Sequence, residues 1–174
     1  MRVNKSSGFS LIELLIVVAI ILIIAAIAIP NLLRARIAAN EASASNSVRQ
    51  INTAEFAYNS AYPTVGYAAQ LADLGGASPC VPSSTTACLL DNVLATATPG
   101  SAGKSGYVFL ATGLLPAGTT NRAFVTAAAP VQFNQTGVRN FCSTEDGVIR
   151  FNPGAAGSVP VNAIGACLAY TVMQ

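Results

Sequence analysis

The sequence predicts an α+β fold in which one long N-terminal helix packs on an antiparallel sheet, and three observations predict it. Unbroken apolar sequence fills Leu14 to Ile29. No glycine or proline interrupts Asn31 to Tyr62, where apolar residues recur at helical spacing. Beyond Pro63 the chain changes to Gly, Pro, Ser and Thr punctuating short runs of β-prone residues.

The first eight residues, Met1 to Gly8, form a polar leader carrying Arg2 and Lys5. A secretory signal begins in the same way, but it has a short apolar core followed by a small-residue cleavage site. Here the small residue, Gly8, precedes the apolar run. Residues 9–29 supply about the ~20 apolar positions that span a bilayer core as a helix. Cleavage near Gly8 therefore leaves a membrane helix on the processed chain. Within that run stands one carboxylate, Glu13. A charge in a membrane span is unfavourable by roughly 2.5–3.5 kcal/mol on insertion scales, so Glu13 requires a partner or a way out to the headgroups.

Past Pro30 the stripe Leu33, Ile37, Ala44, Val48, Ile51, Tyr58 and Tyr62 recurs at spacings of three, four or seven, as on one face of an amphipathic helix. Arg34, Arg36, Asn40, Glu41, Ser45, Arg49, Asn52 and Glu55 are assigned to the other faces. A single helix from near Phe9 to about Tyr62 is roughly 80 Å long at 1.5 Å rise per residue. Its later part is covered by the chain's own head, and its earlier part must find lipid or other helices. Pro30 removes one backbone hydrogen bond and crowds the preceding turn. It is read either as a kink or as the place where Ala25 to Pro30 melts when the helix leaves lipid.

In residues 63–174, Gly75-Gly76, Pro79, Pro82 to Thr86 and Pro99-Gly100 are turn and loop signals. They describe a long connector with a short helical stretch near Ala68 to Leu74. Strands are expected at Tyr107 to Thr112, Ala123 to Ala129, Val138 to Ser143 and Val148 to Asn152, with Glu145-Asp146-Gly147 as the hairpin turn between the last two. A sheet laid on the helix stripe buries both apolar faces.

Composition narrows the function. Of 174 residues 52% are hydrophobic and 9% charged, against about 25% charged in an ordinary soluble domain. Such a surface suits burial against copies of itself. Without Arg2 and Lys5, seven of the nine basic residues remain against seven acidic ones. That balance offers no electrostatic footprint for nucleic acid and no polybasic lipid patch. The chain contains no histidine. It has no Gly-rich phosphate loop ahead of a helix, and no serine elbow lies in Gly106 to Gly113. No enzyme, cofactor or metal site is expected. Glu145 and Asp146 are read as turn solvation, although with Asn152 they are the residues a calcium reading would use. Phe56, Tyr58 and Tyr62 are read as packing between helix and sheet. Asn134-Gln135-Thr136 fits the glycosylation acceptor pattern.

Lys5-Ser6-Ser7-Gly8-Phe9-Ser10-Leu11-Ile12-Glu13-Leu14, with Pro30 closing the apolar run, resembles the leader and helix start of type IV prepilins and their relatives, the type II secretion pseudopilins. The resemblance covers the first third of the chain, to about Tyr62. It implies a pilin-like roll with a C-terminal region stapled by a disulfide. It also implies that a membrane-embedded prepilin peptidase cuts between Gly8 and Phe9 and N-methylates Phe9, making Glu13 the fifth residue of the processed chain. The free amino terminus of Phe9 on a neighbouring helix, shifted along the axis, then places its ammonium beside Glu13. Pairing in low dielectric drives subunits into one axial register.

Cys80, Cys88, Cys142 and Cys167 all lie beyond the membrane segment, as disulfides in an oxidising compartment would. The head should therefore face outward. Four cysteines permit three pairings; Cys80 with Cys88 and Cys142 with Cys167 are favoured because loops rich in Pro, Ser and Gly separate the two sets.

The expected protein is the major structural subunit of a type IV pilus. It waits in the inner membrane with lipid as its partner, and then polymerises with copies of itself through the inner-membrane pilus assembly machinery into an extracellular filament. The alternative is a type II secretion pseudopilin or a minor pilin, which shares leader, cleavage and Glu13.

Overall fold

The computed structural model describes residues 10–173. The long helix α1 runs from Leu11 to Ala61 and includes Pro30. A 3-10 turn follows at Leu71–Leu74, then the short helix α2 at Asn92–Ala95. Strands β1 (Tyr107–Ala117), β2 (Thr120–Pro130), β3 (Arg139–Thr144) and β4 (Arg150–Pro153) come next, and the short helix α3 (Ile164–Leu168) precedes β5 (Thr171–Val172). The chain divides into two units between Arg36 and Ile37.

In the unit ending at Arg36, the described residues are helical from Leu11 onward, with large apolar side chains exposed all round. The helix is long and apolar enough to cross a membrane. An all-apolar helix has no preferred face and must be covered from every side. The helix continues through Pro30 without a break.

In the unit from Ile37, five strands form an antiparallel meander in the order β1-β2-β3-β4-β5. The fold is α+β, a long N-terminal apolar helix followed by a helix face packed on an open antiparallel sheet. Tyr107 pairs with Pro130, Ala128 with Phe141, and Phe141 with Phe151, so β3 lies in the middle with β2 and β4 on either side. One core cluster joins Ala44, Val48, Ile51, Ala54 and Tyr58 of α1 to Phe109, Ala111, Ala128 and Phe141 of the sheet and to Leu71, Leu74 and Leu94 of the connector. A smaller cluster on Val125, Ala127, Cys142 and Cys167 gathers Leu114, Val161 and Tyr170 around it. Side chains alternate across a strand, so Ala127 and Ala128 face the two clusters in turn. Both faces of the sheet are therefore occupied.

The strands run longer than their β-prone runs: β1 continues to Ala117 and β2 begins at Thr120. Pairing extends to Ala117 with Thr120 at the hairpin end, carrying Gly113, Leu114 and Pro116 with it. Tertiary pairing overrides weak local propensity there. The helical turn expected near Ala68 to Leu74 is the 3-10 turn Leu71–Leu74, with Asp73 bonded to the backbone and side chain of Gln70. β5 and α3 carry too few residues to show a periodicity in the sequence.

The helix face differs from the simple stripe. Glu41, Ser45, Asn52 and Glu55, assigned to outer faces, are buried alongside Ala44, Val48, Ile51 and Tyr58. Glu41 Oε1 accepts the backbone N–H groups of Val138 (2.9 Å) and Arg139 (3.1 Å), and its Oε2 pairs with the Arg139 guanidinium at 2.6 Å. Asn52 donates to Ser143 Oγ at 2.8 Å and accepts from Thr126 Oγ1 at 2.6 Å. Glu55 Oε2 accepts from Ala68 N at 2.9 Å. A buried polar group is tolerable when it is hydrogen-bonded. These contacts fix the register of helix on sheet in a way that interchangeable apolar contacts cannot.

Candidate assembly site and exposed loops

The sequence places the assembly chemistry at Gly8, Phe9 and Glu13. Gly8 and Phe9 lie outside the described residues. Glu13 is in the first turn of α1 and exposed. The carbonyl of Ser10 accepts the N–H groups of Glu13 (3.1 Å) and Leu14 (3.2 Å), the first bonds of the helix. Ser10-Leu11-Ile12-Glu13 has the Ser-x-x-Glu spacing of a capping box, a start signal legible in the sequence. A carboxylate in the first turn lies in the favourable field of the helix amino end. From it along the helix the apolar surface is large: Leu11 is 80% exposed, Ile12 65% and, further on, Leu32 70%. Such a surface is too extensive for water and marks a site for lipid or protein.

Cys80 is bonded to Cys88 and Cys142 to Cys167. The first bond closes an exposed loop holding Ser83, Ser84, Thr85 and Thr86, in which the Ser83 hydroxyl bonds those of Thr85 and Thr86. Backbone bonds tie that loop to the connector: Ala87 N donates to Asp73 O (2.7 Å) and Cys88 N to Gly75 O (3.1 Å). The Tyr58 hydroxyl reaches up from α1 to donate to Ser84 O. The second bond pins the C-terminal segment to β3, and both its cysteines are fully buried. A cross-link of that span removes roughly 3 kcal/mol of unfolded-state freedom. Cys142→Ser together with Cys167→Ser should therefore lower stability by about 3 kcal/mol, read as an earlier thermal transition in detergent. An unchanged transition would show that packing alone holds the strap.

The remaining singled-out residues have structural partners. Asp146 is not merely solvating a turn: it forms an ion pair with Arg150 and accepts from Thr144 Oγ1 and Val148 N. The Arg150 guanidinium bonded to it holds its carboxyl down at about 2. Phe56 packs edge-on against Phe124 (5.7 Å between centroids) and Tyr67 (6.2 Å), while the Tyr58 and Tyr62 rings meet at a tilt, 4.9 Å apart. Asn134 is exposed in a turn, and Thr136 Oγ1 donates to Gln132 O at 3.1 Å. A groove of about 500 Å³ is lined by Gln50, Thr53, Ala54, Ala57, Leu89, Leu90 and Asp91. Asp91, the ionisable residue in it, caps α2 by accepting Leu94 N at 2.9 Å. No nucleophile and base converge in that groove, and among the described residues no group of three or more His, Cys, Asp or Glu side chains could hold a metal ion.

Glu41, Asn52 and Glu55 are the residues that the sequence reading missed. Spacing alone offered a partial hint, since Glu41 and Glu55 stand seven residues either side of Val48 on one helix face, but Asn52 falls outside that spacing and the composition of all three is that of a solvated face.

Comparison with known proteins agrees at the amino end. Residues 3–29 match the family described as the prokaryotic N-terminal methylation motif. The chain is 63% identical over 38 residues to the type IV wide pilus major component PilA4 of Thermus thermophilus. That match takes in 22% of this chain and spans 29% of the relative's length. No solved structure matches the chain significantly. The methylation motif, the similarity to a pilin and an apolar helix leading into an antiparallel sheet converge on one assignment: the chain is type IV pilin-like.

Proposed function

We propose that the chain is the major structural subunit of a type IV pilus. In this reading the prepilin peptidase removes residues 1–8 by cutting between Gly8 and Phe9, and Phe9 is N-methylated. The subunit waits in the inner membrane with the disulfide-bonded head outward, and residues 9–29 then leave lipid for the core of a helical homopolymer. Residues 30–62 carry the head, 63–174, on the filament surface. The assembly machinery that moves the subunit from lipid to filament belongs to the same reading. The protein has no catalytic role in it.

The observation that carries the proposal is the uncovered apolar helix from Leu11 to Leu33, interrupted by one carboxylate, in a chain similar to a major pilus component. Lipid covers the apolar surface and leaves Glu13 at the headgroups; a neighbouring subunit covers the same surface with its own helix and pairs Glu13 with its Phe9 ammonium. The head's few charges leave a surface that neighbouring copies can cover at little desolvation cost.

Intact mass and N-terminal sequencing of the chain in material sheared from cells, set against the membrane fraction, test this directly. Abundant sheared chain beginning at N-methylated Phe9 is the expected result. Processed chain confined to the membrane would overturn the major-subunit reading in favour of a pseudopilin or minor pilin. Retention of residues 1–8 in every fraction would overturn the processing step.

A further inference from the structure

We propose that Glu55 is a pH-operated latch: as a neutral acid it holds the connector around Ala68–Leu74 against α1, and on losing its proton it releases that segment and loosens the disulfide loop Cys80–Cys88 that the segment anchors. Glu55 is completely buried. Its Oε2 accepts one hydrogen bond, from Ala68 N at 2.9 Å, and its Oε1 is buried without a partner. One hydrogen bond is poor compensation for a buried carboxylate and adequate for a carboxylic acid.

The surroundings favour the acid from every side. On α1 the nearby ionisable group is Tyr58, itself close to Tyr62, and both lack positive charge. From the connector comes Asp73, a second carboxylate, 8% exposed and bonded to Gln70 N and Nε2. β1 contributes Phe109 and Ala111 to the same core, and neither ionises. Arg49 on α1 and Arg122 on β2 are exposed, and neither forms a salt bridge among the described residues. Burial, with Asp73 adding to it, pushes the Glu55 carboxyl up to about 8.

Release would travel along the backbone. Asp73 O and Gly75 O hold Ala87 N and Cys88 N, while Leu74 O holds Leu89 N (2.8 Å) and Leu90 N (2.9 Å). Opening the connector thus frees both the disulfide loop and the stretch after it. In the open state Glu55 meets water and titrates near 4.5, whereas in the closed state it titrates near 8. Between those values the open state holds fewer protons. The latch is therefore strongest below the open-state value and weakens by about tenfold in opening equilibrium per pH unit as the pH rises, levelling off above the closed-state value.

Hydrogen exchange on the full chain in detergent micelles tests this, with each amide's protection corrected for its intrinsic base-catalysed rate. Protection at Ala68 and at Ala87 to Leu90 should fall about tenfold per pH unit from roughly pH 5 to 8, while amides at the centre of β2 and β3 hold theirs. Glu55→Gln should keep Ala68 protected across the range. The wild-type Ala68 amide shift should also titrate with a midpoint near 8, a measurement that does not depend on the variant folding. Three results would overturn the latch: flat protection in the wild type, the same fall in Glu55→Gln, or an equal fall in β2 and β3.

Discussion

Glu13→Ala should insert in the membrane and be cut between Gly8 and Phe9 like the wild type, yet yield scarcely any filament. In the proposed polymer the Phe9 ammonium of one subunit sits beside Glu13 of the next, away from water. Truncating one partner leaves the other buried and unpaired, which costs about 3–5 kcal/mol. That is roughly two to four orders of magnitude in the subunit association constant. The precursor escapes this penalty because Glu13 lies in the first turn of α1, exposed and near the start of the membrane segment, within snorkelling reach of the headgroups. Sheared filament yield against processed chain in the membrane measures the effect. Normal yield from the variant would sink the charge-pairing mechanism while leaving cleavage and insertion untouched.

Glu41→Ala is expected to be the most damaging single change in the head. One carboxylate serves four donors: Val138 N, Arg139 N, and the Nε and terminal nitrogen of Arg139. Its side chain is 5% exposed, so water cannot replace it without opening the interface between α1 and the sheet. Alanine would leave two backbone N–H groups and part of a guanidinium unsatisfied, at a total of about 3 kcal/mol. Arg139 softens the loss, being 39% exposed and lying over the Phe141 and Phe151 rings. Glu41→Gln retains an acceptor and should lose about half as much. Thermal unfolding in detergent should place wild type, Gln and Ala in descending order. An Ala variant that melts with the wild type would show that Glu41 pairs without stabilising.

The same interface marks how far the sequence could be read. The helix was legible because its apolar positions repeat and nothing breaks Asn31 to Tyr62. The strand centres were legible because Tyr107 to Thr112 and Ala123 to Ala129 are dense in β-prone residues between turn signals. The polar residues on the buried face were not, because Glu41, Asn52 and Glu55 have the composition of a solvated face. What buries them is a set of donors and acceptors further along the chain: Arg139 for Glu41, 98 residues on, Ser143 and Thr126 for Asn52, 91 and 74 on, and Ala68 for Glu55, 13 on. Local sequence carries no trace of those partners. Asp146 was misjudged for a related reason, since its partner Arg150 meets it only after the turn has closed. At the amino end the methylation motif was dense enough that a few residues sufficed for the resemblance. The rest of the head carried no comparable motif, and its layout followed from patterning alone.

The partners of Glu41 lie 97 and 98 positions later in the chain. At roughly 5–20 residues per second of synthesis, the helix face is finished on the order of ten seconds before the strand that satisfies it exists. During that interval the buried carboxylates and the Val48 and Ile51 stripe face solvent or whatever else is nearby. The surface around Glu41 therefore stays open until β3 arrives, and a chain truncated before Val138 would leave that carboxylate without its partners.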